Sequence, residues 1–227
     1  MSSLYFDNNA TTMVDPEVLQ SMRDCWDCQL GNPSSNHSFG RKAHRLVEEA
    51  RIKVANAVGA LPKEVFFTSS GSESNNWFVN GMARVNPDAK FFYGATEHPC
   101  ISKPMQQLQN IGIFSGVIPV KTSGEIDETF FKKINKNDIN IVSLMYVNNE
   151  SGVIHDLKKI KENLGNNVLL HSDAVQALGK IELAFNDLDI DAISISSHKV
   201  NGPQGVAALI IKNGLDIEPL IYGGGQE

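Results

Sequence analysis

The sequence predicts an α/β fold: a mostly parallel seven-stranded sheet with helices on both faces. Three observations predict it. Short apolar runs of buried-strand length occur at Val65 to Thr68, Lys90 to Tyr93, Ile113 to Val120, Ile139 to Val147, Asn167 to Leu170, Ala192 to Ile195 and Val206 to Ile211. Between them lie segments whose apolar residues recur every three or four positions, the helical period. Finally, polar residues follow the apolar runs at Ser72, His98, Asn149, Asp173 and Lys199, where open α/β sheets bind their ligands.

The elements follow in order. Leu4 to Thr12 reads as a short strand and a turn. Asp15-Pro16 supplies a helix N-cap with proline at the first helical position, and Val18, Leu19 and Met22 form an apolar face on a helix ending near Leu30. Gly31 to Gly40 is too rich in turn residues to be regular structure. Ala43, Leu46, Val47, Ala50, Val54, Ala57 and Val58 then mark a long helix closed by Gly59. The strand at Val65 leads through Ser69-Ser70-Gly71-Ser72 into a helix reaching Val85, so the N–H groups of Gly71 and Ser72 can cradle an anion at a helix N-terminus. Ordinary serine capping explains the same residues equally well. A helix begins at His98-Pro99-Cys100, another spans Asp127 to Ile134, the strand from Ile139 runs on to Asn148-Asn149-Glu150, and a further helix covers Asp156 to Leu164.

At 227 residues and 41% hydrophobic, the chain suits one large domain with a substantial core. A net charge of −6, with no cluster of Lys and Arg, argues against nucleic acid or an anionic membrane as partner and in favour of a small molecule. No apolar run approaches the roughly 20 residues that span a bilayer, and Met1 to Asn9 has no signal-peptide pattern, so the expected location is cytoplasmic. The cysteines Cys25, Cys28 and Cys100 are too few for a disulfide framework. Cys25 and Cys28 form a CxxC without a second pair of ligands; it reads as two neighbouring helix residues, and no metal is expected. His37 and His44 read as loop or surface histidines.

The chemistry concentrates on Asp173 and Lys199. A lysine amine can condense with the aldehyde of pyridoxal phosphate, and a carboxylate can hold that cofactor's ring nitrogen protonated so that the ring accepts electrons. An imidazole at His98 could lie on the ring and exchange protons. Each residue taken alone is more often a solvated charge or a cap; their recurrence at strand ends favours a site.

With these residues in hand, the chain resembles the cysteine desulfurases of the NifS/IscS type, from Leu4 to Glu227. The resemblance rests on Asp-Asn-Asn-Ala-Thr-Thr at 7 to 12, Gly-Asn-Pro-Ser-Ser at 31 to 35, Thr-Glu-His at 96 to 98, Asn-Asn-Glu at 148 to 150 and Gly-Gly-Gln-Glu at 224 to 227. It implies the large domain of a fold-type I pyridoxal-phosphate enzyme over 15 to 227, incomplete at its C-terminal end, with residues 1 to 14 belonging to a small domain and Leu4 to Thr12 therefore poorly packed here. It implies that Lys199 carries the cofactor, Asp173 pairs with its ring nitrogen, Gln176 bonds its hydroxyl, and His98 stacks on it. Gly71, Ser72, Ser196 and His198 would hold the phosphate, and Asn149 would help place the substrate carboxylate and the cofactor hydroxyl. Ser72 stands where that family usually has Thr, and Ser70 and Ser197 stand where it usually has Gly.

The implied reaction converts L-cysteine to L-alanine and leaves the sulfur as a persulfide for iron–sulfur cluster assembly, in a homodimer that works with a scaffold or sulfur-acceptor protein. The nucleophilic cysteine of the family lies downstream of Glu227. Alternatives are a non-catalytic cofactor-binding and dimerisation fragment, or another pyridoxal-phosphate lyase such as selenocysteine lyase. Cys100, two residues past His98, is expected to turn its side chain away from the ligand and to be structural.

Overall fold

The computed structural model describes residues 4–224. Helix α1 spans Pro16–Asp27 and α2 Ser38–Val58; strand β1 (Val65–Thr68) leads into α3 (Gly71–Val85), β2 (Lys90–Gly94) into α4 (Pro99–Asn110), and β3 is Ser115–Ile118. Strand β4 (Asn140–Ser143), α5 (Leu157–Leu164), β5 (Val168–Asp173), α6 (Phe185–Leu188), β6 (Ala192–Ser196) and β7 (Ala207–Ile211) complete the order.

The seven strands form one sheet in the order β1-β7-β6-β5-β4-β2-β3. Only β7 runs against its neighbours, β1 and β6; the other pairs are parallel. The carboxyl ends of β1 to β6 therefore share one edge, as the sequence predicts.

Both faces of the sheet are covered, which explains why the strands read as unbroken apolar runs. Phe91, Tyr93, Ile141, Ala192, Leu209 and Ile211 pack with Phe78, Met82, Ile101 and Met105 of α3 and α4. The alternate residues Phe92, Val142, Ile193, Ala208 and Ile210 pack on the other face with Ala55, Val58, Leu157, Ile160 and Leu164 of α2 and α5. The period of two along each strand divides its side chains between these layers.

Local signals act where expected. Asp15 caps α1 by accepting from the Glu17 N–H, and Gly59 closes α2 in the left-handed conformation at φ 67°. Cys25 lies in α1 and Cys28 is its C-cap.

Four expectations are corrected. Residues 38 to 40 are helical rather than loop, because the His37 imidazole accepts the Gly40 N–H and starts α2 three residues early. Gly40 is required there: a Cβ would lie 2.2 Å from the Ser35 carbonyl oxygen. Leu4 to Thr12 forms no strand, since no strand lies beside it; Leu4 and Phe6 are 78% and 85% exposed. That matches the expected poor packing of its side chains, but its backbone is tied down, with the Thr12 N–H donating to the His198 carbonyl at 2.9 Å. The segment near Asp127 is a 3₁₀ helix over Glu128–Lys133 rather than an α-helix. Finally, β4 stops at Ser143 because the Glu97 carboxylate, rather than β2, takes the Met145 N–H. Of the Gly-Gly-Gln-Glu motif, only Gly224 falls within the described residues.

Candidate active site

The shared carboxyl edge carries a cavity of about 600 Å³, a volume that suits a cofactor-sized ligand. All nine residues predicted for the site line it: Gly71, Ser72, His98, Asn149, Asp173, Gln176, Ser196, His198 and Lys199. Each arrives by its own element. Gly71 and Ser72 open α3, His98 caps α4, Asp173 ends β5, Ser196 ends β6, and Lys199 closes the 3₁₀ turn after it. Asp173 is thus the last residue of its strand rather than a residue past it.

Asn149 reaches the cavity differently. β4 ends six residues earlier, and the chain returns through a turn held by Asn148, whose Oδ1 accepts the N–H groups of Glu150 at 3.0 Å and Ser151 at 2.8 Å. Asn148 therefore builds the turn and Asn149 faces the cavity.

Asp173 sits on the cavity floor, 4% exposed. Its Oδ1 accepts the Val175 N–H at 3.0 Å and its Oδ2 accepts the Asn75 Nδ2–H at 2.8 Å. Burial pushes its carboxyl above the usual carboxylate range, opposed by the Val175 and Asn75 hydrogen bonds and by the charges of His98 and Lys199. Lys199 is half-buried across the cavity, and its Nζ donates to the carbonyls of Asn9 and Ala10, both at 2.6 Å. Burial, and next the neighbouring Lys180, lower its pKa; Asp173 and Asp7 act in the opposite sense. The same amine, with burial as the larger cause, lowers His198. The Gln176 amide donates to the Asn9 carbonyl at 2.9 Å.

The sequence reading missed three features. Asn75, one helical turn after Gly71, orients Asp173; its position on the inward stripe of α3 was a usable signal. The N-terminal segment supplies the carbonyls that hold Lys199, and nothing in its composition announces this. Cys100 does not turn away. Its Sγ lies 2.9 Å from His98 Nδ1, 3.0 Å from Asn75 Nδ2 and 3.9 Å from Asp173 Oδ2, because His98 as N-cap folds its imidazole back over the first turn of α4. Burial, and next the Asp173 charge, push this thiol up to about 12.

These groups fit pyridoxal phosphate. An amine able to lose its proton stands at one side of the cavity and a buried carboxylate at its floor. The N-terminus of α3 supplies an anion site, and it approaches the turn after β5 so closely that a Cβ on Gly71 would lie 2.8 Å from Val175 Cγ2. Among the described residues, no cluster of His, Cys, Asp and Glu could hold a metal ion, and no helix is long and apolar enough to cross a membrane.

The sequence profile of the family described as "Aminotransferase class-V" matches residues 4–227. The chain is 40% identical over 227 residues to "Cysteine desulfurase IscS" of Clostridium botulinum (strain Hall), an alignment covering 99% of this chain and 57% of that protein. It is similar to a solved structure of a "NIFS-LIKE PROTEIN" with a TM-score of 0.94 and 37% identity, over 98% of this chain and 62% of that one. A second, "SspA in complex with cysteine", superposes with a TM-score of 0.90 at 33% identity, over 99% of this chain and 66% of that one. The chain thus spans less than two thirds of the length of these relatives.

Proposed function

The chain belongs to the class-V aminotransferase family, and from that premise we propose that it is the cofactor-binding large domain of a cysteine desulfurase, taking L-cysteine as substrate. One observation carries the reading: the Lys199 amine, the buried Asp173 carboxylate and the N-terminus of α3 line a single cavity, in a chain similar to named cysteine desulfurases. The solved SspA structure, described as a complex with cysteine, supports that substrate.

When bound, pyridoxal phosphate supplies an electron sink for negative charge developing at the substrate Cα. Lys199 would hold the cofactor and move the proton at Cα; burial lowers its pKa, so a larger fraction of the amine is neutral and basic than for a surface lysine. Asp173 keeps a proton on the ring nitrogen, and Asn75 fixes the carboxylate that does so. His98 would cover the ring, and Gln176, whose amide here donates to the Asn9 carbonyl, would bond the ring hydroxyl. Gly71, Ser72, Ser196 and His198 hold the phosphate, and Asn149 orients the substrate carboxylate. In this reading Cys100 is not the sulfur acceptor: its thiol is packed against His98, Asn75 and Asp173 in the first turn of α4, and burial pushes it up to about 12.

Residues 1–14 belong in this reading to a second, smaller domain, supported by the exposure of Leu4 and Phe6. Pairing into a homodimer, delivery of sulfur to an iron–sulfur scaffold and a cytoplasmic location rest on the resemblance to the NifS/IscS enzymes.

The test loads the chain with pyridoxal phosphate and titrates L-cysteine, L-serine and L-alanine while following the cofactor absorbance. Cysteine is expected to change the spectrum at the lowest concentration, with no sustained sulfide release. A spectrum indifferent to cysteine but responsive to another amino acid contradicts the assignment, and sulfide turnover abolished by Cys100→Ser would make Cys100 the acceptor.

A further inference from the structure

Helix α3 meets β5 and the turn after it at three levels in step. A Cβ at Gly71 would touch Val175 Cγ2 at 2.8 Å, Asn75 donates to Asp173 at 2.8 Å, and the Phe78 ring stacks on the His171 imidazole with centroids 4.3 Å apart and planes at 17°. Residues 71, 75 and 78 form one stripe of the helix, while 175, 173 and 171 share one face of the chain leaving β5, read in the opposite direction. The first contact sits at the anion-binding end of α3 and the second at the carboxylate. The third lies outside the cavity.

His171 is built to hold that third position. It is fully buried, its Nδ1 lies 2.9 Å from Ser143 Oγ on β4, and its Nε2 lies 3.0 Å from Ser194 Oγ on β6. Both ring nitrogens are thus engaged, and the ring plane is fixed across three adjacent parallel strands. Ser194 is also the residue directly opposite Asp173 in the ladder, so the strand that carries the carboxylate and the ring that receives Phe78 share one brace. Burial lowers the imidazole to about 3, which keeps it neutral and able to lie flat under an apolar ring.

We propose that His171 is a positioning residue: its stack with Phe78 sets the separation between the phosphate cradle at Gly71 and Ser72 and the ring-nitrogen carboxylate of Asp173. A ligand that must reach both points at once depends on that separation, whereas a ligand that lacks the phosphate does not. Phe78 stands six residues after Ser72, about 9 Å along the helix, so loosening it lets the N-terminus of α3 move against β5. This inference rests on the cofactor reading of the site.

The experiment measures Kd for pyridoxal phosphate and for pyridoxal with the whole chain, its Phe78→Leu and His171→Leu variants, and His171→Gln, whose flat amide can stack and still bond a serine hydroxyl. The unaltered chain is expected to prefer the phosphorylated aldehyde. Phe78→Leu and His171→Leu should lower that preference about tenfold, the scale of a small misplacement of binding groups, while pyridoxal binds within about twofold of its original strength; His171→Gln should recover part of the preference. Because Phe78→Leu keeps an apolar side chain at the site, it tests the idea even where His171→Leu does not fold. Parallel weakening of both aldehydes, or an unchanged preference, would overturn the inference while leaving the cofactor reading intact. An unaltered chain with no preference for the phosphorylated aldehyde would overturn both.

Discussion

Replacing Asp173 by Asn should make the cofactor-free chain more stable and the cofactor site worse. Asp173 is 4% exposed, and the groups bonded to its oxygens are neutral: the Val175 N–H at 3.0 Å, the Asn75 amide at 2.8 Å and the Cys100 thiol at 3.9 Å. Its folded-state pKa is raised, with burial as the largest cause. A raised carboxyl pKa means that the fold is favoured where the group is protonated and loses that advantage as pH climbs from the unfolded pKa through the folded one. At pH 7 the native chain therefore carries the cost of keeping this carboxyl out of water, and Asp173→Asn does not. Removing it recovers about 2 kcal/mol of desolvation. Part of this is offset: the new amide nitrogen faces the Asn75 donor, so Asn75 must turn its Oδ1, a buried atom without a hydrogen-bond partner, towards it and leave its own Nδ2 unpaired, which costs about 1 kcal/mol. The net gain of about 1 kcal/mol corresponds to a rise in Tm of about 3 °C for a chain of this size. Thermal unfolding of both cofactor-free proteins between pH 4 and pH 8 reads it out. The gain should shrink as pH falls and turn into a deficit of about 1 kcal/mol below about pH 4, where both side chains are neutral and only the unpaired Asn75 amide remains. A variant less stable at pH 7, or a difference that does not depend on pH, would refute the view that this carboxylate is held against its own solvation for the sake of the site.

Gly71→Val should weaken pyridoxal phosphate binding at least about tenfold, because displaced donors at a helix N-terminus lose an anion and the first added carbon lies 2.8 Å from Val175 Cγ2; fluorescence titration against pyridoxal as control checks it, with pyridoxal unaffected. Iodoacetamide at pH 7.5 should label the exposed Cys25 first and Cys100 last, since the Cys100 thiol is pushed up to about 12, and peptide mass mapping over time reports the order. Lys180→Met should raise the pKa of Lys199, whose amine Lys180 holds down as the second cause after burial, so covalent capture of pyridoxal phosphate should begin at higher pH than in the unaltered chain. Lys161→Ala should cost about 3 kcal/mol and lower Tm without touching the cavity, because it leaves the buried Asp191, 2.7 Å from Lys161 Nζ, without its counter-charge.

Much of this molecule is legible in its sequence for a simple reason. Strands buried on both faces produce unbroken apolar runs, and in a parallel sheet every such run delivers the next polar residues to the same edge. Asp173, His98 and Lys199 could therefore be placed together before their contacts were known. Strand β4 shows the limit: the extended run from Ile139 continues to Val147, but where it stops being a strand depends on Glu97, 48 residues earlier, capturing the Met145 N–H. Cys100 shows another, since the direction of a side chain in the first helical turn was set by the cap that His98 forms rather than by its position. The role of Asn9 and Ala10 as acceptors for Lys199 depends on backbone carbonyls brought from 190 and 189 residues away, which no local pattern encodes.

The most direct test of the central assignment is the site of covalent attachment. The chain is incubated with pyridoxal phosphate, reduced with borohydride, digested and mapped by mass spectrometry, in parallel with Lys199→Ala. One modified peptide containing Lys199 is expected, together with its absence, and no comparable label elsewhere, in the variant. Equal labelling of Lys199→Ala, or modification spread over surface lysines with Lys199 unmodified, would contradict the assignment of this cavity to the cofactor.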